Sequence, residues 1–519
     1  MKRGRLGLAL LLVALVAWAL LYVARTSFPL DGARVFCLWD DGMISMRYAR
    51  HLAEGHGLVW NVAGDRVQGF SNLGVTLVMA ALHLLPLSPL HASLPFQVLS
   101  ALLLGATALG AAACARRLHP EVPHAGLATA AAVALHGPLA VWTLQGSDVG
   151  FVAASLVLAL WLVLRARDRG DFPFAAFIVL GAGVVVRPDG TLFYLAFLAG
   201  ALLVARRPVR TAVAGLALLA AIGAALVVTS WLYYGDPLPN TWYLKSMGMP
   251  RGLMLRAGAG QLLVLLAGPS ALLLALGLAC AARDLRNDAV AGIVALCLLA
   301  AAAYHVSVGG DWLARYVSRF LVPVLPLLFI VAVGPALRRV ARYLPAGVAA
   351  PLVAIAAAAI FHPLAVAREW LDPRAPTMLR EFNAQNAAFG LYFREHTDPA
   401  TTIALHWAGA PAYFSERPAI DVLGKSDAHI AKLRVHVFEP AHSKWDWDYV
   451  LRERRPDIVL GASRGLERHP LFLSDYVGAT ARGGLAFYLR RDARERLHDP
   501  DVRLVDLRTG RRLAGPEAR

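Results

Sequence analysis

Two adjacent carboxylates, Asp40 and Asp41, follow the first apolar segment and begin a stretch with a helical pattern, residues 39–61. A carboxylate near a helix N-terminus stays ionised, so it can orient and deprotonate an incoming hydroxyl group. One of the pair could instead cap the helix, since Asp is a preferred N-cap residue, which leaves a second carboxylate for chemistry. We take Asp41 as the preferred base and Asp40 as its orienting partner, although the sequence does not order them firmly.

The helix that carries these carboxylates is amphipathic. On a 3.6-residue period one face is apolar or aromatic and includes Tyr48, whereas another carries Arg47, Arg50 and His51. Such a helix would lie along a membrane surface, with the aspartates at the boundary between lipid and water. Trp60 suits the same interface. An enzyme that acts on a lipid-linked substrate would keep its base there.

Cations that could bind a phosphate lie in three later polar connections. Arg187 lies in RPDG, Lys245 in YYGDPLPNTWYLKSMG, and Arg319 in GGDWLARYVSRF. A cation above a bilayer suits a lipid phosphate, and ionisable groups at a membrane boundary indicate function. Arg187 could instead pair locally with Asp189. Arg319 is the first candidate for the phosphate, and the candidates for the donor side are Arg319, Arg315, Lys245, Arg187, Asp311, Asp236 and Asn240.

The chain after about residue 362 has the pattern of a soluble mixed α/β domain. TTIALHWAG, AIDVLG, DIVLG and LAFYLRR predict short strands, with helices at 378–395 and 447–454 between them. The sequence contains no zinc-ligand spacing and no GxxxxGK[ST] nucleotide loop. The candidates for the acceptor side, or for support of the site, are Tyr48, Trp60, His406, Asp421, Lys425, Asp427 and His429.

The composition predicts a polytopic membrane protein. Of 519 residues, 58% are hydrophobic and only 17% are charged, and the mean hydropathy is +0.54. A net charge of +16 would indicate nucleic acid in a soluble protein. Here the basic clusters fall at every second junction between apolar runs, which the positive-inside rule explains if those junctions are cytoplasmic. We therefore expect membrane lipids, and no nucleic acid, as partners.

Eleven apolar runs are candidates for membrane spans. A further run at 73–87 has about fifteen residues, with a histidine and a proline near its end. Counting it as a span would move every later basic cluster to the outside, so we interpret it as an interfacial or re-entrant helix. The N-terminus is then inside and the C-terminus outside. A transmembrane module at 1–363, with a first outer loop at about 25–94, precedes an extracytoplasmic domain at 364–519. The runs are 6–24, 95–115, 125–144, 150–164, 172–186, 190–205, 211–232, 259–281, 289–308, 319–337 and 345–363.

The polar motifs resemble, in the same order, a bacterial glycosyltransferase family that includes the mycobacterial terminal β-(1→2)-arabinofuranosyltransferases. The motifs are WDDGMISMRYARHLAEGHGLVWN, QGFSN, RPDG, YYGDPLPNTWYLK, GGDW with RFLVPVLP, and IDVLGKSDAHIA. The resemblance covers nearly the whole chain. It implies a GT-C fold, a polyprenyl-phosphate-linked sugar donor and a reaction on the outer face of the bacterial cytoplasmic membrane. The loop-one aspartate taken as the base in inverting members maps onto Asp40 and Asp41.

Three motifs depart from the family pattern. This chain has GSDVG where relatives more often have an acidic residue in a GxE-type turn, and RPDG where they have RPEG. It also has Lys425 where uncharged residues are common. The carboxylate changes are conservative, whereas Lys425 indicates a different acceptor or an additional phosphate contact.

These residues together predict transfer of a sugar, a pentofuranose such as arabinofuranose by resemblance, to a glycan or glycolipid acceptor. One carboxylate would activate the hydroxyl group while Arg or Lys stabilises the departing phosphate. We expect no cofactor, with a divalent cation on Asp40, Asp41 and Asp311 as the alternative. A second hypothesis is a transferase with the same donor chemistry that acts on a protein such as a pilin. A third is a lipid-sugar transporter or assembly partner. It would need polar residues within the spans, whereas the ionisable groups cluster at their outer ends.

Overall fold

The fold combines a helical, strongly apolar N-terminal part with a C-terminal domain that contains a β-sheet, as the sequence predicts. One long helix precedes the connection that carries Asp40 and Asp41, and a long helix-rich region follows it. The computed structural model describes residues 2–169, 173–204, 207–285, 288–311, 317–435, 437–439, 442–461, 464–481 and 483–513.

Sixteen helices precede the C-terminal domain within these described residues, and they account for the apolar runs of the sequence. Their bounds are α1 Lys2–Thr26, α2 Asp40–Ala53, α3 Leu73–His83, α4 Ser93–Leu118, α5 Ala125–Leu135, α6 Gly137–Leu144, α7 Val149–Arg169, α8 Phe174–Val186, α9 Gly190–Val204, α10 Pro208–Tyr234, α11 Asn240–Ser246, α12 Arg251–Leu266, α13 Pro269–Asp284, α14 Ala289–Ser307, α15 Leu325–Val340 and α16 Ala346–Ala358.

Six segments in the described part of the chain are long and apolar enough to cross a membrane. They are α1, α4, α7, α10, α14 and α15 with the 3-10 turn before it. Two further helix pairs would qualify if each bent pair is one span: α5 and α6 meet at 57°, and α12 and α13 at 80°. The second bend lies at Gly268 and Pro269, where the glycine has φ +77° and the proline begins a new helix.

Each of the eleven predicted spans overlaps one of these helices or bent pairs. The helices α8, α9 and α16 have 13, 15 and 13 residues, fewer than the ~20 that a straight crossing needs. The number of crossings therefore stays a prediction. The run at 73–87 forms α3, which has 11 residues. At 1.5 Å per residue it is roughly 16 Å long and too short to span a bilayer core.

The C-terminal domain contains a seven-stranded mixed sheet with strand order β4-β3-β5-β7-β6-β8-β9. The strand β3 pairs in parallel with β4 and β5, and the remaining pairs are antiparallel. All four predicted strands are present, as β3, β4, β5 and β7. The bounds are β3 Ile403–Leu405, β4 Ala419–Asp421, β5 Ile458–Leu460, β6 Tyr476–Thr480, β7 Ala486–Arg490, β8 Arg503–Asp506 and β9 Arg512–Leu513, after a β1–β2 hairpin at Phe28–Leu30 and Ala33–Val35.

Five helices accompany this sheet. The predicted helix at 378–395 is α18, and a π-helical turn at Tyr449–Arg454 lies within the predicted helix at 447–454. The helix α17 lies against α6. Its Trp370 Nε1 donates a hydrogen bond of 3.0 Å to the carbonyl oxygen of Ala134 near the end of α5. The helices are α17 Leu364–Leu371, α18 Met378–His396, α19 Ala410–Ser415, α20 Ala428–Lys432 and α21 Pro470–Asp475.

The helix α2 lies between α3 and α19, so protein covers most of it. Arg47, on the face that the sequence pattern makes polar, is buried and donates to the carbonyl oxygens of Trp60 at 2.7 Å and Arg417 at 2.9 Å. Those backbone acceptors satisfy the guanidinium in place of solvent or lipid headgroups. Loop one and the C-terminal domain thus supply the contacts that the pattern assigned to a membrane surface, and they hold the aspartates of α2 beside the C-terminal domain.

Candidate active site

The first turn of α2 directs Asp40 and Asp41 to different neighbours. Consecutive helical residues point about 100° apart. The Asp40 carboxylate is buried and its Oδ1 accepts a hydrogen bond of 2.8 Å from the backbone N–H of Gly409. The Asp41 side chain faces an open cleft and is 40% exposed. The N-cap residue of α2 is Trp39, which makes no side-chain cap, and both carboxylates interact with groups outside the helix.

Asp41 lies between two cations that come from distant parts of the chain. Its Oδ2 accepts a hydrogen bond of 2.7 Å from Arg319 Nη1, and its Oδ1 accepts one of 2.6 Å from Lys425 Nζ. Burial opposes ionisation of this carboxylate, but the two cations outweigh it and hold the pKa of Asp41 well below its usual range. Asp41 is therefore ionised, and both of its oxygens are occupied.

Asp40 has the opposite electrostatic character. Burial raises the pKa of Asp40 to about 6, although the Lys425 ammonium group acts against this shift. Its Oδ2 is buried, has no hydrogen-bond partner among the described residues, and lies 3.7 Å from Lys425 Nζ. Two neighbours in sequence thus differ strongly in their tendency to hold a proton.

Arg319 is fixed by a second carboxylate. Its Nε and Nη2 donate to the two oxygens of buried Asp311 at 3.1 and 3.2 Å, and its backbone N–H donates to the same side chain. A bidentate pair of this kind sets both the position and the plane of the guanidinium. Only Nη1 is left to reach Asp41, so Asp311 orients Arg319 toward the cleft. The pKa of Asp311 is lowered because this cation outweighs its burial.

Arg187 is held by two carboxylates at another wall of the cleft. Its Nη1 lies 3.0 Å from Asp148 Oδ1 and its Nε lies 2.6 Å from Asp189 Oδ1. The guanidinium also lies over the ring of Phe320 at 4.7 Å. The local pair with Asp189 is thus present, and Asp148 from a different connection completes it.

Lys245 lies on the cleft wall and makes no hydrogen bond or ion pair with any residue that the structure describes. Burial and the nearby positive charge of Arg319 lower the pKa of Lys245 to about 8. An ammonium group in such surroundings gains more from an anion than a solvated one does. Among the described cations of the cleft, Lys245 is the one without a carboxylate partner.

A tight loop after β4 carries Lys425 to the cleft. Buried Asp421 accepts hydrogen bonds from the backbone N–H groups of Leu423, Gly424 and Ser426 at 3.0, 3.2 and 2.8 Å. From the membrane module, Asn240 Nδ2 lies 2.9 to 3.0 Å from the carbonyl oxygens of residues 424, 425 and 427. Both residues were candidates for binding; in the structure they hold the backbone of this loop.

These groups surround one cleft with about 1070 Å³ of unfilled space, including its open mouth. Charged side chains occupy one part of its wall, and the aromatic side chains of Trp39, Trp407 and His442 occupy another. The lining residues are Trp39, Asp40, Asp41, Gly42, Ile44, Ser45, Gly69, Phe70, Ser71, Asn72, Gly146, Ser147, Asp148, Arg187, Thr241, Lys245, Asp311, Arg319, Phe320, Trp407, Lys425 and His442.

The same fold occurs in solved structures of known proteins. The apo structure of ArnT from Cupriavidus metallidurans matches with a TM-score of 0.57 and 14% identity, covering 92% of this chain and 97% of that one. ArnT from the same organism bound to undecaprenyl phosphate matches with a TM-score of 0.52 and 15% identity, covering 79% and 85%. The Archaeoglobus fulgidus oligosaccharyltransferase, tethered with an acceptor peptide containing the NVT sequon via a disulfide bond, matches with a TM-score of 0.53 and 13% identity, covering 98% and 76%.

These proteins are GT-C glycosyltransferases. The chain has a GT-C fold. A family model described as "Domain of unknown function (DUF8728)" matches residues 377–504, and a comparison with curated proteins gives no match. The GT-C fold confirms the fold class that the sequence predicts. The resemblance to the arabinofuranosyltransferase family stays a prediction.

Several predicted site residues lie outside the cleft of this GT-C fold. Asp236 pairs with Lys432 at 3.0 Å, and His429 pairs with Asp446 at 2.9 Å, both near the surface. Asp427 caps α20 through the N–H of Ile430 and also contacts Tyr449 and Arg454. Arg315 lies outside the described residues.

Tyr48, Trp60 and His406 contribute to packing rather than to the cleft wall. The Tyr48 hydroxyl donates to the carbonyl oxygen of Val67 at 2.7 Å, and Trp60 Nε1 donates to that of Ala419 at 3.2 Å. Both rings belong to the apolar core that loop one shares with the sheet. The His406 ring packs on Trp407, with ring centroids 5.1 Å apart, and burial lowers the pKa of His406 to about 4.

Trp407 and His442 were not predicted as lining residues. The sequence prediction named the neighbouring His406, but alternation along the extended chain after β3 directs Trp407 to the cleft instead. Ser71 and Asn72 belong to the QGFSN motif, which the sequence singled out without assigning a role to either residue. Among the described residues no group of three or more His, Cys, Asp or Glu side chains is arranged to hold a metal ion.

Proposed function

We propose that this protein is a membrane glycosyltransferase that transfers a sugar from a polyprenyl-phosphate donor to a glycan or glycolipid acceptor. The observation that carries the proposal is the meeting of Asp41 with Arg319, Lys425 and Lys245 in one cleft of a GT-C fold. Undecaprenyl phosphate bound to ArnT, a protein of similar fold, supports a lipid phosphate as the donor group. The cleft supplies both an anion site and a carboxylate beside it.

In this proposal Asp41 is the general base and Asp40 the orienting partner. The acceptor hydroxyl oxygen attacks the anomeric carbon, its proton passes to the Asp41 carboxylate, and the bond from the anomeric carbon to the phosphate oxygen breaks. Polyprenyl phosphate leaves with the bonding electrons, and Lys245 and Arg319 stabilise its charge. Attack opposite the leaving phosphate inverts the anomeric centre. Inversion and an arabinofuranose donor both come from the sequence resemblance.

The aromatic wall of the cleft supports a carbohydrate acceptor. Trp39 and Trp407 line the same cleft as Asp40 and Asp41, and their rings lie 6.4 Å apart. Phe382 packs against both, with ring centroids 5.1 Å away, so the two indole rings form a supported apolar surface. A sugar ring presents an apolar face of C–H groups that packs on such a surface, while its hydroxyl groups reach the carboxylates. A protein acceptor remains an outcome of the test below.

We place the reaction at the outer face of the bacterial cytoplasmic membrane, in a multi-pass protein whose C-terminal domain is extracytoplasmic. The distribution of basic residues along the sequence supports this orientation. All components of the cleft come from junctions that this topology puts on one side. Labelling of single cysteines at Lys245 and at Asp236 with an impermeant thiol reagent tests it, since labelling from the cytosol alone would contradict the orientation.

The decisive experiment incubates the purified protein with polyprenyl-phosphate pentoses and hexoses and with glycan or peptide acceptors, followed by product analysis. Wild type should form a glycosidic product. Asp41→Asn should abolish transfer, and Arg319→Ala should chiefly weaken use of the donor. Asp168→Asn is a control, because Asp168 pairs with Arg117 at the surface away from the cleft. Normal turnover by Asp41→Asn would remove Asp41 as the base, and modification of peptides alone would favour a protein acceptor.

A further inference from the structure

Lys425 belongs to the C-terminal domain, yet its ammonium group contacts the proposed base on α2. Lys425 Nζ lies 2.6 Å from Asp41 Oδ1 and 3.7 Å from Asp40 Oδ2. The inference drawn from this contact rests on the function proposed above. It concerns what Lys425 does before and after the donor arrives.

The backbone of Lys425 is fixed by several contacts, whereas among the described residues its ammonium group is held only by Asp41 and Asp40. The neighbours of Lys425 are held by Asp421, and its own carbonyl oxygen accepts from Asn240 Nδ2 at 3.0 Å. Gly69 also packs closely here, since a Cβ at that position would lie 2.2 Å from Ser426 Oγ. The four-carbon stem of a lysine can still turn its ammonium group through several ångströms. The loop thus carries the flexible side chain of a lysine on a fixed backbone.

The two cations on Asp41 differ in their freedom to move. Arg319 is fixed through its Nε and Nη2 by Asp311 and offers only Nη1. Lys425 has no carboxylate partner other than Asp41 and Asp40 among the described residues. An anion that enters beside Lys245 therefore competes with Asp41 chiefly for Lys425. Like charges repel, so a phosphate close to Asp41 gains by taking the cation.

We propose that Lys425 is a positioning residue that pairs with Asp41 until the donor binds and then moves to the donor phosphate, which frees the Asp41 oxygen that accepts the proton. Before donor binding, each oxygen of Asp41 accepts a hydrogen bond from a cation, and the carboxylate holds a proton poorly. After Lys425 has moved, Oδ1 is free and the carboxylate becomes more basic. The base is thus available when the leaving phosphate is in place. Transfer then requires donor binding before deprotonation of the acceptor.

A binding cycle with undecaprenyl phosphate tests this inference without transfer chemistry. The full-length protein in lipid nanodiscs is titrated as wild type, Asp41→Asn, Lys425→Met and the double variant. Asp41→Asn removes the carboxylate that competes for the cations, so it should tighten the binding of undecaprenyl phosphate about tenfold in the wild-type background. In the Lys425→Met background it should tighten binding only about threefold, because only Arg319 is then released from Asp41. In a Lys425→Arg background, Asp41→Asn should again tighten binding by nearly the wild-type factor, because arginine keeps the positive charge. Lys425→Gln repeats the test with a polar side chain should Lys425→Met not fold.

Lys432 provides a matched control. It also belongs to the C-terminal domain and pairs with an aspartate of the membrane module, Asp236, at 3.0 Å, but near the surface. Asp41→Asn should tighten binding in the Lys432→Met background as much as in wild type. Equal tightening with and without Lys425, or weaker binding by Asp41→Asn, would overturn the inference and leave the proposed function standing. Absence of binding in every variant, including wild type, would overturn both.

Discussion

Replacing Asp40 by Asn should stabilise the folded protein at neutral pH. The carboxylate is buried, and its pKa is raised from 3.8 to about 6. Keeping it ionised at pH 7 therefore costs roughly two pKa units, or about 3 kcal/mol of folding free energy. Asn is isosteric, and its Oδ1 can still accept from the Gly409 N–H, which contacts Asp40 at 2.8 Å. The substitution removes the cost of the charge and keeps the hydrogen bond.

The sign of the pH dependence follows from the direction of the shift. Between about pH 4 and 6 the unfolded chain has lost the Asp40 proton while the folded chain keeps it, so wild-type stability falls as the pH rises through this window. Asp40→Asn lacks this proton. The two proteins should unfold at similar temperatures near pH 4 and differ fully above about pH 7, by a few degrees for a chain of this size.

Asp41→Asn, at the next position, should have the opposite effect and destabilise the folded protein at neutral pH. Arg319 and Lys425 hold the pKa of Asp41 well below its usual range, so its ionised form contributes stability that is fully present above about pH 4 and is lost only in stronger acid. Asp41→Asn should therefore unfold at a lower temperature than wild type throughout the range from pH 4 to 8. Thermal unfolding in detergent between pH 4 and 8, followed by tryptophan fluorescence, measures both variants against wild type. A lower melting temperature for Asp40→Asn at pH 7, or a difference that does not change with pH, would refute this reasoning.

Three further results are expected from the geometry of the cleft. The affinity for undecaprenyl phosphate should fall as the pH rises above about 8, where ligand-free Lys245 loses its proton. Lys245→Met should bind roughly tenfold more weakly below pH 8, and its affinity should not show this fall. Asn240→Ala removes the two N–H groups that three neighbouring carbonyl oxygens of the Lys425 loop share, so the melting temperature should drop by an amount that reflects about 1–3 kcal/mol. Transfer should fall as well, because Lys425 is displaced. Gly69→Ala should lower transfer through the same loop, since its Cβ would meet Ser426 Oγ and the Tyr48 hydroxyl. In each case a variant indistinguishable from wild type would contradict the assigned contact.

The sequence predicted the fold class and the approximate positions of the helices, because both depend on local hydrophobic runs. It also predicted that Asp41, Arg319, Lys245 and Arg187 meet, since they lie in junctions on one side of the proposed membrane. It could not predict how they pair. Lys425 and Asp41 are 384 residues apart, and their contact depends on how the C-terminal domain packs against α2, which no local pattern specifies.

The surroundings of α2 were the least predictable part of the fold. Amphipathic periodicity indicates one apolar face and one polar face, but the same pattern suits a lipid surface and a protein surface that offers polar acceptors. Arg47 satisfies its guanidinium with backbone carbonyl oxygens from loop one and from the C-terminal domain. Such acceptors have no signature in sequence, because every residue has a carbonyl group. The polar face was therefore recognised, and its partner was not.

Asp40 and Asp41 are adjacent in sequence but lie in different surroundings. A helix turns their side chains about 100° apart, so one can enter the domain interface while the other faces the cleft. The first is buried and accepts a hydrogen bond from a backbone N–H, whereas the second faces the cleft between Arg319 and Lys425. These different surroundings, and not the residue type, set the tendency of each carboxylate to hold a proton. The register of α2 against Gly409 therefore decides which of the two aspartates faces the cleft.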